Sequence, residues 1–442
     1  MPAYKLVMQK SRLLDSMSLK VSLMNWGKES VWVVLGQVIS FIGVLLGVRL
    51  LTSMLSPEIY GELALCISVV MLVFYIVGET FSELTMRFFT PAREQGWLAD
   101  FYHGVRTYFF KIIAFVFVMG LLILLVLALT GNIKLVAVGV PILLFSMFSS
   151  ANGLMEGIRN GARDRKVVAF NQALFQWLRF LLAALFIWLA GASAAVALWG
   201  YAFASLLVVI SQICFLRRAE FYPAMQLKRN PEKGFQYVST MLNYARPFLV
   251  MGGFTWLLSF ADRWALSLFC PMSEVGYYAA LYQVGYFPMI FASRILLQLV
   301  SPVLYERAGG NDYYGHMDGL NRFNRRLTLL VLGLSFVLWI MLHQIHKPLF
   351  ALFVAQDYQS VSYLLPWTVL SAGIYSAGSI PLVSVLSRFE SGRILPMKIV
   401  TTLLGVICYI TGAYFYKLEG LVFGSLIFSF IYLICAYRLN IK

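Results

Sequence analysis

"RLLTSMLSPEIYGELAL", residues 49–65, returns in altered form as "RWALSLFCPMSEVGYYAAL", residues 263–281. In each, an Arg is followed eight residues later by Pro, then by Glu, Gly and an Ala-Leu pair that leads into the next apolar run. The first copy closes the first long apolar run of the chain and the second closes the seventh. A second echo joins "GAR" (161–163) to "SGR" (391–393), in the connections after the fourth and tenth runs. A repeat with six membrane runs per half gives both halves one orientation, so the halves are related by an axis along the membrane normal, as in two-lobed alternating-access transporters.

The composition around the repeat demands a membrane. Of 442 residues, 60% are hydrophobic, 16% aromatic and only 12% charged, too little charge to cover a soluble surface. Apolar runs of about 20 residues, the length of a spanning helix, recur. They cover roughly 30–53, 60–83, 111–130, 133–156, 170–190, 194–216, 247–269, 275–304, 327–345, 361–386, 397–416 and 420–438. Pro288 predicts a kink in the eighth. The expected fold is all-α: an integral membrane protein of about twelve transmembrane helices in two pseudo-symmetric six-helix lobes. A tail (1–29) precedes an amino-terminal lobe (30–216), a linker (217–246) and a carboxy-terminal lobe (247–438).

The net charge of +15 has a topological meaning. With the N-terminus inside, 28 of the 35 Lys and Arg fall on the cytoplasmic side, and Lys134, Lys347 and Lys417 fall outside. That bias fixes both termini in the cytoplasm and removes the case for a nucleic-acid partner. The N-terminus lacks a short apolar core with a small-residue cleavage site, so it reads as a retained tail. Cys66, Cys214, Cys270, Cys408 and Cys435 form no CxxC or CxxH cluster, which argues against disulfides and metal sites.

At the repeat the chain resembles a known family. "SPEIYGELAL" is similar to the signature after the first helix of Wzx-type polysaccharide (O-antigen) flippases, within the multidrug/oligosaccharidyl-lipid/polysaccharide exporter superfamily. "GIRNGARDRKVVAFNQ" resembles their Arg-rich loop after the fourth helix, and "DRWALSLFCPMSEVGYYAALYQV" their Asp-Arg and Val-Gly-x-Tyr pattern. "LSRFESGRILPMKI" and "LEGLVFGSLI" fit the later helices. Ser56 stands where the family usually has Gly, and "VAQDY" (354–358) lacks a common Gly. The resemblance implies a MATE-like exporter fold in a bacterial inner membrane. It implies flipping of a lipid-linked oligosaccharide, built on polyprenyl pyrophosphate, by alternating access driven by a proton or sodium gradient. Membrane lipids, a polysaccharide polymerase and a chain-length regulator would be its partners, and no other cofactor is expected.

Four Arg lie inside the spans: Arg49, Arg179, Arg263 and Arg294. A charge at membrane depth usually faces protein or a wet cavity, and Arg grips phosphates in a bidentate fork. Arg49 and Arg263 each lie on the order of 12 Å before their Pro; they either line the cavity as a symmetric pair, or snorkel or tie the lobes together. Gln172, Gln176 and Arg179 form one polar helix face, a cavity wall or an interhelical seam. Gln283, Arg294 and Gln298 share a face of the eighth run, which reads as cavity wall or as cytoplasmic extension. For ion coupling, Asp262 and Glu79 are the candidates. Asp262 otherwise serves as a counter-ion, and Glu79 with Glu83 and Arg87 has the spacing of a salt-bridge ladder. Glu156 sits near Arg159 and Arg163 and reads as structural. His343 and His346 fall at the outer mouth as exposed loop residues.

A multidrug exporter needs an acidic cavity for cations, which four Arg disfavour. A lipid II exporter fits the same superfamily. A membrane-embedded polymerase or ligase needs catalytic loops, and the connections here hold no acidic metal cluster, phosphate loop or Ser-His-Asp set.

Overall fold

The computed structural model describes residues 32, 34–226, 231–308, 313–387 and 391–441, with side chains over these stretches except 231–238, 298–308, 313–321, 384, 386–387, 391–392 and 440–441. The expected tail, 1–29, lies outside the described residues. Regular structure among them is helical throughout. The helices are α1 (Val34–Met54), α2 (Pro57–Glu94), α3 (Leu98–Leu129), α4 (Ile133–Gly161), α5 (Arg165–Ala190) and α6 (Ala194–Arg217). They continue with α7 (Pro231–Phe269), α8 (residues 272–308), α9 (Tyr313–Phe353) and α10 (Leu365–Ser387). Helices α11 and α12 share residues 391–441 and part at Tyr416 and Lys417, where Lys417 takes a φ of 51°.

Among the described residues, nine stretches are long and apolar enough to cross a membrane, the last holding both α11 and α12. Helix α7 starts at Pro231, so most of the stretch expected as linker is its first turns. The side carrying the start of α1 and the end of α12 is called here the terminal side, and the opposite side the far side.

Local signals set the boundaries. Ser56 caps α2 by accepting from the Ile59 amide, and Pro57 occupies the first turn, where its missing N–H costs nothing. Ser193 caps α6 in the same way. Pro271 precedes α8, with Glu274 in its first turn where the helix dipole favours an acid. The irregularity expected at Pro288 lies just ahead of it: Tyr282–Tyr286 form a π-turn. Proline has no N–H to give the Val284 carbonyl, and the wider turn absorbs the mismatch. Helix α2 has its own π-turn, Phe74–Gly78, with no proline to announce it.

The two halves use one packing plan. Helix α4 packs on α2 and α6 as α10 packs on α8 and the α11–α12 pair, and α5–α6 forms a hairpin like α11–α12. The hairpins close on small residues, Gly200 against the Ala183 backbone and Gly412 against that of Gly420. Between α4 and α6, Asn152 donates to Ser205; between α10 and α12, Ser371 shares hydrogen bonds with Ser425 (3.1 Å) and Ser429 (3.0 Å).

The halves meet where α2 crosses α8, at the glycines of the sequence repeat. A Cβ on Gly276 would strike the Pro57 carbonyl, and one on Gly61 the Met272 carbonyl. The repeat therefore records a backbone contact on the pseudo-twofold axis. Trp256 and Trp264 of α7 extend the junction by donating to Ser68 of α2, at 2.6 and 2.9 Å. Large side chains such as Phe115, Leu122 and Val126 of α3 remain exposed on the outside, as a lipid-facing surface requires.

Candidate functional site

Two adjoining cavities open between the halves, both walled by Val44, Met71, Gln176, Phe287, Phe291 and Arg294. The first, about 450 Å³, is a chamber of the amino-terminal half between α1, α4, α5 and α6, closed by α8. The second, about 280 Å³, lies on the junction between α1, α2, α5, α7 and α8.

Three of the four membrane arginines reach the second cavity. Arg294 is exposed and, among the described residues, forms no ion pair or hydrogen bond. Arg179 lies 4.4 Å over the Phe180 ring and 5.7 Å from Phe175 and Tyr201. Its Nε is buried without a hydrogen-bond partner, so cation–π attraction is its main compensation. Arg263 is neutralised: its Nη1 lies 3.1 Å from Asp262 Oδ1 and donates to the Ser259 carbonyl at 3.0 Å, with the guanidinium 4.4 Å over Tyr282. Asp262 accepts on its other oxygen from the Tyr278 hydroxyl at 2.8 Å. It lines neither cavity. Though neighbours in sequence, Asp262 and Arg263 bond directly, because Arg263 folds back along its own helix.

Gln172 and Gln176 line the chamber and Gln283 the junction cavity; the Gln298 side chain is outside the described residues. Arg49 does not share the position of Arg263. It donates to the carbonyls of Ala351 (3.1 Å) and Val354 at the end of α9, a cation placed where the helix dipole is negative. The symmetric pair of cavity arginines is thereby corrected: Arg49 ties the lobes on the far side. Beside it, the Ala355 amide donates to Thr52 Oγ1 at 3.1 Å and the Tyr358 hydroxyl to the Leu55 carbonyl at 2.9 Å. Tyr358 is fully buried, edge-on to Tyr60 and Tyr277 at about 6 Å. The far side is closed.

Other expectations change. No ladder joins Glu79, Glu83 and Arg87: among the described residues none of the three shares an ion pair with another. Glu79 is off the cavity walls. Glu156 does not serve Arg159, which Asp164 takes at 2.7 Å; it turns into the chamber and accepts from Gln172. The signal was present in the sequence, since Ser149, Asn152 and Glu156 follow at i, i+3 and i+7 on one face of α4. His343 and His346 are helical, and His346 meets Ser362 at 3.1 Å. The five cysteines are unpaired.

A sequence profile for a family described as "Polysaccharide biosynthesis protein" matches residues 26–306, more than half of the chain. The chain belongs to the polysaccharide biosynthesis protein family. This polysaccharide biosynthesis protein shares its fold with solved transporters. A mutant of the Vibrio cholerae MATE transporter VcmN aligns with a TM-score of 0.61 at 14% identity, over 94% of this chain and 97% of that one. An inward-facing multidrug resistance MATE family transporter of the MOP superfamily gives 0.62 at 13%, over 92% and 93%. A MOP superfamily transporter from Pyrococcus furiosus, described by a binding pocket of reverse polarity, gives 0.57 at 15%, over 93% and 95%. Among curated proteins none matches the sequence. The fold is that of solved multi-pass membrane transporters.

Proposed function

We propose that the protein flips a polyprenyl-pyrophosphate-linked oligosaccharide, an O-antigen or other surface polysaccharide unit, from the cytoplasmic to the periplasmic face of a bacterial inner membrane. The observation that carries this reading is the convergence of Arg179, Arg263 and Arg294 on one cavity. A pyrophosphate calls for cationic donors, and Arg294 has a guanidinium not committed to any described partner. A cationic drug would meet repulsion in the same place. The amide-lined chamber next to it offers hydrogen bonds to sugar hydroxyls, while the polyprenyl tail stays in lipid.

Both termini lie in the cytoplasm in this reading, since the Lys/Arg excess lies on the terminal side. Release requires the far-side contacts of Arg49, Thr52 and Tyr358 to part as the lobes rock. An ion gradient drives the cycle in exchange for the glycan, and a polymerase with its chain-length regulator consumes the product. The test is gene deletion in a strain without a redundant transporter. Loss of surface polysaccharide with build-up of its lipid-linked unit on the cytoplasmic face is expected; normal surface glycan sinks the reading.

A further inference from the structure

Donors and acceptors are unevenly committed on the chamber walls. Asn152 Nδ2 donates to the Ser205 carbonyl and hydroxyl, both at 3.0 Å, and Gln212 Nε2 donates to Asn152 Oδ1 at 3.0 Å. Asn171 Nδ2 donates to the Val167 carbonyl at 2.8 Å, and Gln172 Nε2 donates to Glu156. A backbone carbonyl or a carboxylate can only accept, so these amides are held nitrogen-first toward the protein. In Asn152 the oxygen is taken by Gln212; in Asn171 it is left over.

The surplus is oxygen. Ser149 Oγ, Asn171 Oδ1 and Gln176 Oε1 are buried without hydrogen-bond partners, and all three residues line the chamber. Ser149 is 6% exposed and Asn171 4%, and buried acceptors are rarely left orphaned. Glu156 is the one carboxylate lining either cavity among the described residues. A carboxylate accepts at roughly four positions, and Gln172 fills one of them. Ser149 and Glu156 stand two turns apart on α4, about 10 Å at the helical rise. The acceptors are therefore strung along a wall, where an extended ligand rich in O–H and N–H groups meets them in series.

We infer that the chamber selects the glycan by its donors: it takes sugars that are uncharged or carry an amino group and rejects acidic ones, with Glu156 as the discriminating residue. A sugar hydroxyl donates and accepts, and an ammonium group donates only; either satisfies the orphaned oxygens. The ionised carboxylate of a uronic acid only accepts. It would face Glu156 at like charge and leave the wall oxygens unpaired, and a site built for hydrogen bonds rejects a group that cannot make them. The cation on the described walls is Arg294 of α8, which also lines the junction cavity with Arg179 and Arg263. A uronate drawn to Arg294 would compete there with the pyrophosphate. The two cavities thus divide one head group, the pyrophosphate to the arginines and the sugars to the oxygens of the chamber.

This preference rests on the flippase reading, and the choice of probes separates the two. The purified full chain in lipid nanodiscs is titrated with a radiolabelled short-chain polyprenyl pyrophosphate, either bare or carrying a disaccharide of glucose, of glucosamine or of glucuronate. These sugars share one ring shape and differ in charge. The glucose and glucosamine probes are expected to bind about tenfold tighter than the glucuronate probe, and Glu156→Gln to shrink that gap to within about threefold by admitting glucuronate. Equal affinities in the wild type, a preference for glucuronate, or a gap that survives Glu156→Gln overturns the preference; the flippase reading stands as long as the bare pyrophosphate binds. Binding of no probe, the bare pyrophosphate included, overturns both. If Glu156→Gln does not fold, the Ser149→Ala/Asn171→Ala variant, which keeps the carboxylate, replaces it. Weaker binding of the glucose and glucosamine probes, with the bare pyrophosphate unchanged, then supports the preference, and unchanged affinity for all probes overturns it.

Discussion

In the amino-terminal half, the space among α4, α5 and α6 is lined by Asn152, Glu156, Gln172 and Gln212 and stays open. In the carboxy-terminal half, the corresponding helices close on short hydroxyls and large rings: Ser371 links to Ser425 and Ser429, and Tyr375 stacks on Tyr432 at 4.5 Å. The backbone plan is nearly the same, so the difference lies in the side chains. Amides of middling length hold helices apart and keep their polar ends wet, whereas serines let helices touch and tyrosines fill what remains. One half is a vessel and the other is a wall for it.

The sharpest way to break that comparison is to remove the charge from the vessel. Arg179→Ala and Arg294→Ala are expected to abolish surface polysaccharide export at unchanged protein level, with Lys at either position restoring part of it. Ser371→Ala, in the wall, is expected to leave export intact. Equal export by all three variants in a complementation assay would remove the functional difference between the halves.

The wall is tested through its ion pair. Asp262→Asn leaves Arg263 buried without a counter-charge, a loss of about 3–5 kcal/mol, read as a lower thermal midpoint in detergent. Replacing both residues with Leu and Met should recover most of that stability, because apolar pairs of similar volume are often neutral. Export should not return, since Arg263 is gone from the cavity. Recovery of export would make the pair purely structural.

Next comes the seam. Gly276→Ala forces a methyl into the Pro57 carbonyl, with an expected cost of about 1–3 kcal/mol as overpacking, whereas Gly333→Ala meets open space and should be neutral. Comparable thermal midpoints for the two would mean that the α2–α8 crossing is looser than the geometry requires.

These positions also show what the sequence could and could not convey. The repeat, the twelve helices and the polar stripe on α5 were legible, because hydropathy period and a backbone crossing leave marks in residue type. The partner of each charge was not. Glu156 stood one turn from Arg159, and only the fold sends Arg159 to Asp164 and Glu156 into the chamber. Arg49 and Arg263 share a register in the repeat, yet α1 ends beside the carbonyls of α9, a contact over 300 residues apart in the chain. Long-range partners of this kind have no local signature.

The smallest expected effect tests the far-side closure, where the halves differ by a segment. The connection between α3 and α4 is a short turn, Thr130–Asn132, whereas that between α9 and α10 carries the helical stretch Gln356–Leu364. That stretch places Tyr358 on the axis. Tyr358→Phe keeps the ring between Tyr60 and Tyr277 and deletes the hydrogen bond to the Leu55 carbonyl, a loss of about 0.5–1.5 kcal/mol. Stability should change little, but the closed state alone loses this bond, so the population open to the far side should rise by roughly twofold to thirteenfold, the ratio that such an energy sets. A cysteine introduced at Ala64, on the wall of the junction cavity, reports it: labelling by a membrane-impermeant maleimide from the far side should quicken in the Tyr358→Phe background. Unchanged labelling would leave Tyr358 as packing alone and place the closure on Arg49 and Thr52.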